Sequence, residues 1–153
     1  MVLETLERMT DDAAHLNNLI FVRLMAVRIL IVDDSAIFRE GLRTTIEAHP
    51  DWEVCGEAVD GIEGIQKSRL LNPRLILMDL SMPRMSGIES ASQILREFPN
   101  VRILLLTLYL THQVAQEARK IGICATLSKT EMHHLISSIN MALSGEEFTA
   151  PIK

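Results

Sequence analysis

VRILIVDDS, Val27 to Ser35, is the stretch on which the fold turns. Val27 to Val32 is apolar but for Arg28 and rich in β-branched side chains. That is the composition of a parallel strand covered on both faces. Asp33-Asp34-Ser35 ends the run as a loop and helix N-cap. In AIFREGLRTTIEAH, which follows, Phe38, Leu42 and Ile46 recur at helical spacing with Thr45 beside them, until Pro50-Asp51 stops the helix.

The same alternation continues outward. WEVCGEAV (Trp52 to Val59) alternates like a less buried strand at a sheet edge, and Asp60-Gly61 turns the chain. GIEGIQKSRLL is a short helix carrying Ile62, Ile65, Leu70 and Leu71 on its apolar side, stopped by Asn72-Pro73. RLILMDL (Arg74 to Leu80) is a second buried strand interrupted by one acid. Ser86-Gly87 opens a helix through Ile88, Ala91, Ile94, Leu95 and Phe98. VRILLLT (Val101 to Thr107), HQVAQEARKIG with Gly122 as its C-terminal cap, ICATLS (Ile123 to Ser128) and a last helix from Glu131 to Leu143 complete the series. In that last helix Leu135, Ile136, Ile139 and Leu143 face inward. Five strand–helix units of this kind imply an α/β domain, a parallel sheet with helices on both faces.

In such sheets ligands gather at the carboxyl ends of the strands, near the reversal of strand order. Those ends carry Asp33 and Asp34 on the first strand, Asp79 on the third, Thr107 on the fourth, and Lys129 just past the fifth. Singly, each has a bland role: a cap, a solvated acid, a β-forming threonine, a surface lysine. Their joint placement on one edge is the argument. Two acids about 5 Å apart repel by roughly 3 kcal/mol at an effective dielectric near 20. Three in one pocket force a proton onto one of them unless a cation intervenes. A hard dication with oxygen ligands answers this, and Mg²⁺ is the usual choice near phosphate. An aspartate held in that way can attack phosphorus, with Lys129 and Thr107 supplying a positive charge and a hydroxyl donor. Positioning and electrostatics are most of what phosphoryl transfer needs.

VRILIVDDS, LILMDLSMPRMSG, ILLLT and LSK, in this order, resemble the receiver domain of bacterial two-component response regulators. FREGLR and HLISSINMALSGEEF resemble the subfamily whose receivers precede a LuxR-type helix-turn-helix domain. The resemblance spans about Val27 to Gly145. It implies a doubly wound (βα)5 flavodoxin-like three-layer sandwich with strands in the order 2-1-3-4-5. It further implies Asp79 as phosphoacceptor, charged by a sensor histidine kinase. Asp33 and Asp34 would hold Mg²⁺ with Asp79 and the backbone carbonyl of Ser81. Thr107 would swing toward the phosphate and Lys129 pair with it, while Pro83 and Gly87 shape the loop after Asp79. The expected output is a phosphorylation-dependent change of surface or self-association. The family's usual aromatic, three residues before the lysine, is here Thr126. Leu108 is bulkier than usual, and Tyr109 lies where a residue often gates water. An unphosphorylated scaffold of the same fold is the alternative. A nucleotide enzyme is disfavoured, because no GxGxxG or GxxxxGK[ST] loop occurs.

Bulk properties agree with a globular domain: 48% of residues are apolar and 23% charged. The net charge of -5, with no basic stripe, gives no footprint for nucleic-acid binding by this chain. Cys55 and Cys124 are far apart and read as reduced core residues, which fits a cytoplasmic protein. No signal peptide and no membrane span is expected. Residues 1 to 26 form an extension with Leu3, Leu6, Met9, Ala13, Leu16 and Ile20 at helical spacing, suited to packing on the domain or on a second copy. Met25, directly before the first strand, is also a candidate translation start. His133-His134 are adjacent on a helix and are expected to point apart. Residues 27 to 145 are the receiver domain, and 146 to 153 a tail or the start of a linker to an effector domain.

Overall fold

The computed structural model of the chain describes residues 1–145 and 148–149. The expected tail therefore lies outside the described residues except for Phe148 and Thr149. In chain order the elements are α1 (Val2–Met25), β1 (Val27–Val32), α2 (Ala36–Glu47), β2 (Trp52–Ala58), α3 (Gly61–Leu71), β3 (Leu75–Asp79) and α4 (Gly87–Glu97). They continue with β4 (Arg102–Thr107), α5 (His112–Lys120), β5 (Ala125–Ser128), a 3-10 turn (Met132–His134), α6 (Leu135–Ser144) and β6 (Phe148–Thr149).

The strands form one parallel sheet in the order β2-β1-β3-β4-β5, as expected, with the two-residue β6 added outside β5. Alternation along the central strands divides the core into two layers. Ile29 and Ile31 of β1, with Leu75, Leu77, Leu104 and Leu106, pack against Leu42 and Ile46 of α2 and Leu135 and Ile139 of α6. Leu30 and Val32, with Ile76, Met78, Ile103 and Leu105, face Ile65 of α3, Ala91 and Ile94 of α4, and Ala118 of α5. Strands covered on both sides need this continuous apolar character, which is why β1, β3 and β4 read so plainly.

Helix starts follow from local chemistry. Ser35 caps α2 by accepting from the Phe38 N–H at 3.3 Å, and Ser86 forms a reciprocal capping box with Glu89 at the start of α4. Gly122, at φ 96°, takes the left-handed conformation just past α5 that marked it as a terminator.

Several expectations are corrected. Leu70 is 80% exposed, because the buried face of α3 runs through Gly61, Gly64, Ile65 and Ser68. Ile136 is exposed for the same reason: Leu135, Ser138, Ile139 and Ala142 are the inward positions of α6, one residue out of phase with it. The final helix is broken into a 3-10 turn and α6. The His133 and His134 rings do not point apart as expected: their centroids are 4.0 Å apart. Cys55 and Cys124 are free, as expected, but only half-buried. The extension is helical, and none of the residues of α1 is buried.

Candidate functional site

Strand order reverses between β1 and β3, and the acids sit at their carboxyl ends. Asp33, directly after β1, is buried. Its Oδ1 accepts from the Ser35 N–H at 2.8 Å, and its carbonyl accepts from Nη1 of Arg39 at 2.8 Å. Asp34 beside it faces solvent. Asp79, the last residue of β3, is buried. Asp33, Asp34 and Asp79 each place a carboxylate oxygen within 4.8 Å of the others.

Lys129 enters from the loop after β5. Its Nζ donates to Oδ2 of Asp33 at 2.6 Å and lies 3.1 Å from Oδ1 of Asp79. The Phe38 ring closes the other side, its centroid 4.2 Å from the ammonium. The Lys129 N–H bonds the carbonyl of Thr107 at 2.8 Å, so the end of β4 fixes the backbone that delivers the lysine. Thr107 is itself buried, and its Oγ1 accepts from the Tyr109 N–H at 3.2 Å. One ammonium against three carboxylates leaves two negative charges. Asp79 registers the imbalance: burial, then the charge of Asp33, pushes its carboxyl up to about 6 against the pull of Lys129 and the Ser81 N–H.

The donor set fits Mg²⁺ by chemistry and by charge. It offers hard carboxylate oxygens, two from buried groups and one from a group open to water, and a deficit that one dication balances. Ser81 is exposed in the loop after β3. That loop is drawn tight by Gly87, whose N–H bonds the Leu80 carbonyl at 2.8 Å. A Cβ on Gly87 would meet the Asp79 carbonyl oxygen at 2.0 Å, so only glycine permits this approach. Pro83 lies in the same loop. Thr126 is buried on β5 and its hydroxyl has no hydrogen-bond partner among the described residues, whereas Tyr109 and Leu108 are exposed.

Three residues at this edge escaped the sequence reading. Phe38 was taken only as a core residue of α2. Asp60, read as half of a turn, is buried at the carboxyl end of β2, where its Oδ1 caps α3 on the Glu63 N–H at 2.9 Å. The rule that found Asp33 and Asp79 would have found it. Arg84, in the loop after β3, pairs with Asp60 from a left-handed backbone at φ 68°.

This geometry coincides with a known family. A family model described as the response regulator receiver domain matches residues 29–140. The chain belongs to the response regulator receiver domain family. It is therefore a signalling module of two-component systems, and receiver domains bind Mg²⁺ at an acidic pocket of this kind. The transcriptional regulatory protein LiaR of Bacillus subtilis is 39% identical over 121 residues, covering 78% of this chain and 57% of the relative. The uncharacterized transcriptional regulatory protein YxjL of the same organism is equally identical, over 78% of this chain and 56% of its own. The chain thus spans little more than half the length of these relatives. A LuxR-family two-component response regulator from Aurantimonas sp. SI85-9A1 superposes with a TM-score of 0.78 at 32% identity, covering 82% of this chain and 89% of that chain. The isolated receiver domain of RcsB from Salmonella enterica serovar Typhimurium, solved with the phosphomimetic BeF3-, gives 0.75 at 26% identity, covering 82% of this chain and 94% of that chain. No helix among the described residues is long and apolar enough to cross a membrane.

Proposed function

We propose that Asp79 accepts a phosphoryl group from a partner sensor histidine kinase, and that Lys129 and Thr107 read the result. The observation that carries this is the buried Asp79 carboxyl, pushed up by burial and Asp33, with the Lys129 ammonium between the two acids. An Asp79 oxygen attacks phosphorus, the bond from phosphorus to the donor imidazole nitrogen breaks, and that nitrogen keeps the electron pair. The product on Asp79 is an acyl phosphate. Asp33, Asp34 and Asp79, with the carbonyl of Ser81, would hold Mg²⁺, whose contribution is to neutralise the pocket and draw in phosphoryl oxygens.

Phosphorylation brings 1.5 to 2 negative charges and three strong acceptors to one buried point, on the order of what a single ammonium and hydroxyl can answer. Lys129 already reaches Asp79, so it can turn to the new oxygens while its backbone stays tied to Thr107. Among the described residues Thr107 holds one hydrogen bond through its hydroxyl, as acceptor, which leaves its O–H to donate to the phosphate. The surface formed by the ends of β4 and β5 would shift in consequence, altering self-association. Relatives named as transcriptional regulatory proteins support a cytoplasmic, transcriptional output exerted by residues beyond the matched span.

Incubation of the protein with a small phosphodonor and Mg²⁺ tests this. The expected result is a mass gain of one phosphoryl group, labile to hydroxylamine, absent in Asp79→Ala and abolished by EDTA. An unphosphorylated wild type would instead favour the scaffold reading, which the small Thr126 at the usual aromatic position supports.

A further inference from the structure

Helix α1 has no buried residue along its 24-residue length, yet Leu6, Met9, Leu16 and Ile20 are 54%, 63%, 60% and 52% exposed. Among the described residues its one ion pair to the domain joins the exposed Arg23 to the half-buried Glu53 at 3.6 Å. A lone helix of this size gains little stability from propensity alone, and a continuous apolar stripe in water marks an interaction surface. The stripe is not a generic amphipathic face. Val2, Leu6, Met9, Ala13, Leu16 and Ile20 follow alternating steps of four and three, the a/d seam of a coiled coil.

We propose that this seam pairs with the same seam of a second copy, as a two-stranded antiparallel coiled coil. Charge chooses the occupant. Four acids (Glu4, Glu7, Asp11 and Asp12) outnumber the two bases Arg8 and Arg23 on the helix, which is the wrong balance for an anionic bilayer surface. The acids lie in the first half and Arg23 in the last turn, so the helix is electrostatically complementary to its own reverse. In the register that sets Met9 opposite Ile20 of the other copy, Ala13 faces Leu16 and Arg23 meets the Leu6–Glu7 turn. Met9–Ile20 and Ala13–Leu16 then form apolar layers, Arg23 reaches the acidic Glu7 beside Leu6, and the small Ala13 lets the helices approach closely near their crossing. One seam serves both copies, as a closed two-fold interface requires.

The two receivers would stand at opposite ends of a rod about 36 Å long. Dimerisation through α1 is therefore independent of Asp79 and of the phosphorylation reading.

Sedimentation equilibrium on the full chain tests the pairing. The expected mass is twice the 17.2 kDa of one chain. It should be unchanged in Asp79→Ala, and halved in the double variant Leu6→Glu with Leu16→Glu, whose receiver keeps its cooperative unfolding because neither site is buried. Under mild oxidation, Met9→Cys with Ile20→Cys should cross-link between copies, while Leu6→Cys alone should not exceed wild type. A monomeric wild type would overturn the proposal, whether it stays in solution or floats with phosphatidylcholine–phosphatidylglycerol vesicles. A dimer surviving both glutamates, or rapid cross-linking of Leu6→Cys alone, would overturn it too, the first by assigning association to the receiver and the second by making the helices parallel.

Discussion

Two buried carboxylates stand at the carboxyl edge of the sheet, in opposite electrostatic conditions. Asp60, after β2, is held below the usual carboxylate range by the Glu63 N–H, against its burial and with the help of Arg84. Asp79, at the end of β3, is pushed up to about 6 by burial and by Asp33, and Lys129 must serve both acids. Position at a strand end therefore does not set an aspartate's electrostatic state. An acid whose lone pairs and charge are met is a strut that caps a helix and ties down a loop. An acid left short of positive charge stores unfavourable energy that a cation can relieve.

The largest effect should come from discharging the second of these. A group that ionises near pH 4 in the unfolded chain and near 6 when folded lowers stability wherever it is ionised in the native state. The cost is absent below about pH 4, grows between about 4 and 6, and is complete above. Asp79→Asn, in metal-free buffer at pH 8, is expected to raise stability by up to about 3 kcal/mol in urea unfolding. The gain should fade as pH drops from 6 to 4. Adding Mg²⁺ should stabilise the wild type at pH 8 and the variant much less. A less stable variant at pH 8 would place Asp79 in the same class as Asp60, and equal stabilities would remove the charge deficit assigned to it.

The strut should fail with the opposite sign. Asp60→Ala removes the cap of α3 and leaves Arg84 without its partner, a loss of about 2 kcal/mol in the same assay. Asp60→Asn keeps an acceptor for the Glu63 N–H and should lose less. Because the folded Asp60 is held low, its contribution is present above the ordinary carboxylate range and is lost only as pH falls through that lowered value, below about 4. The two variants thus diverge in sign at neutral pH and in the acid window where each difference disappears. A stability gain in Asp60→Ala would remove the distinction.

How much of this was legible follows from the range of the interactions. β1, β3 and β4 were plain because burial on both faces leaves an unbroken apolar run, and the site residues were plain because sheet topology collects strand ends without regard to side-chain packing. Asp60 was hidden by its neighbour: before Gly61 it reads as a turn, and only coordinates show the helix beginning at that glycine. Arg84 was not legible, since its contact spans 24 residues and depends on a left-handed backbone in a loop. Leu70 and Ile136 were misassigned by one position, about 100° around a helix, where apolar residues crowd and only packing selects the inward ones. The Lys129–Phe38 contact joins residues whose own neighbourhoods give different periodicities, so no local pattern announces it.

Thr126 sharpens the comparison from a third side, as a buried polar group with neither the satisfaction of Asp60 nor the charge of Asp79. Its hydroxyl has no partner among the described residues. An unmet buried hydroxyl costs on the order of 1 kcal/mol or more. Valine fills the same branched shape on a β-strand, so Thr126→Val should stabilise the unphosphorylated protein by about 1 kcal/mol, read as a higher urea midpoint with an unchanged slope. Thr126 shares a sheet face with Thr107, since Leu105 is its register partner on β4 and Ser128 that of Thr107. Movement of Thr107 toward an acyl phosphate would give the orphan hydroxyl a neighbour to bond. The gain in Thr126→Val is then expected to shrink in the presence of BeF3- and Mg²⁺. A gain that is the same in both states would make Thr126 a packing residue, and the missing aromatic a loss with no substitute at that position.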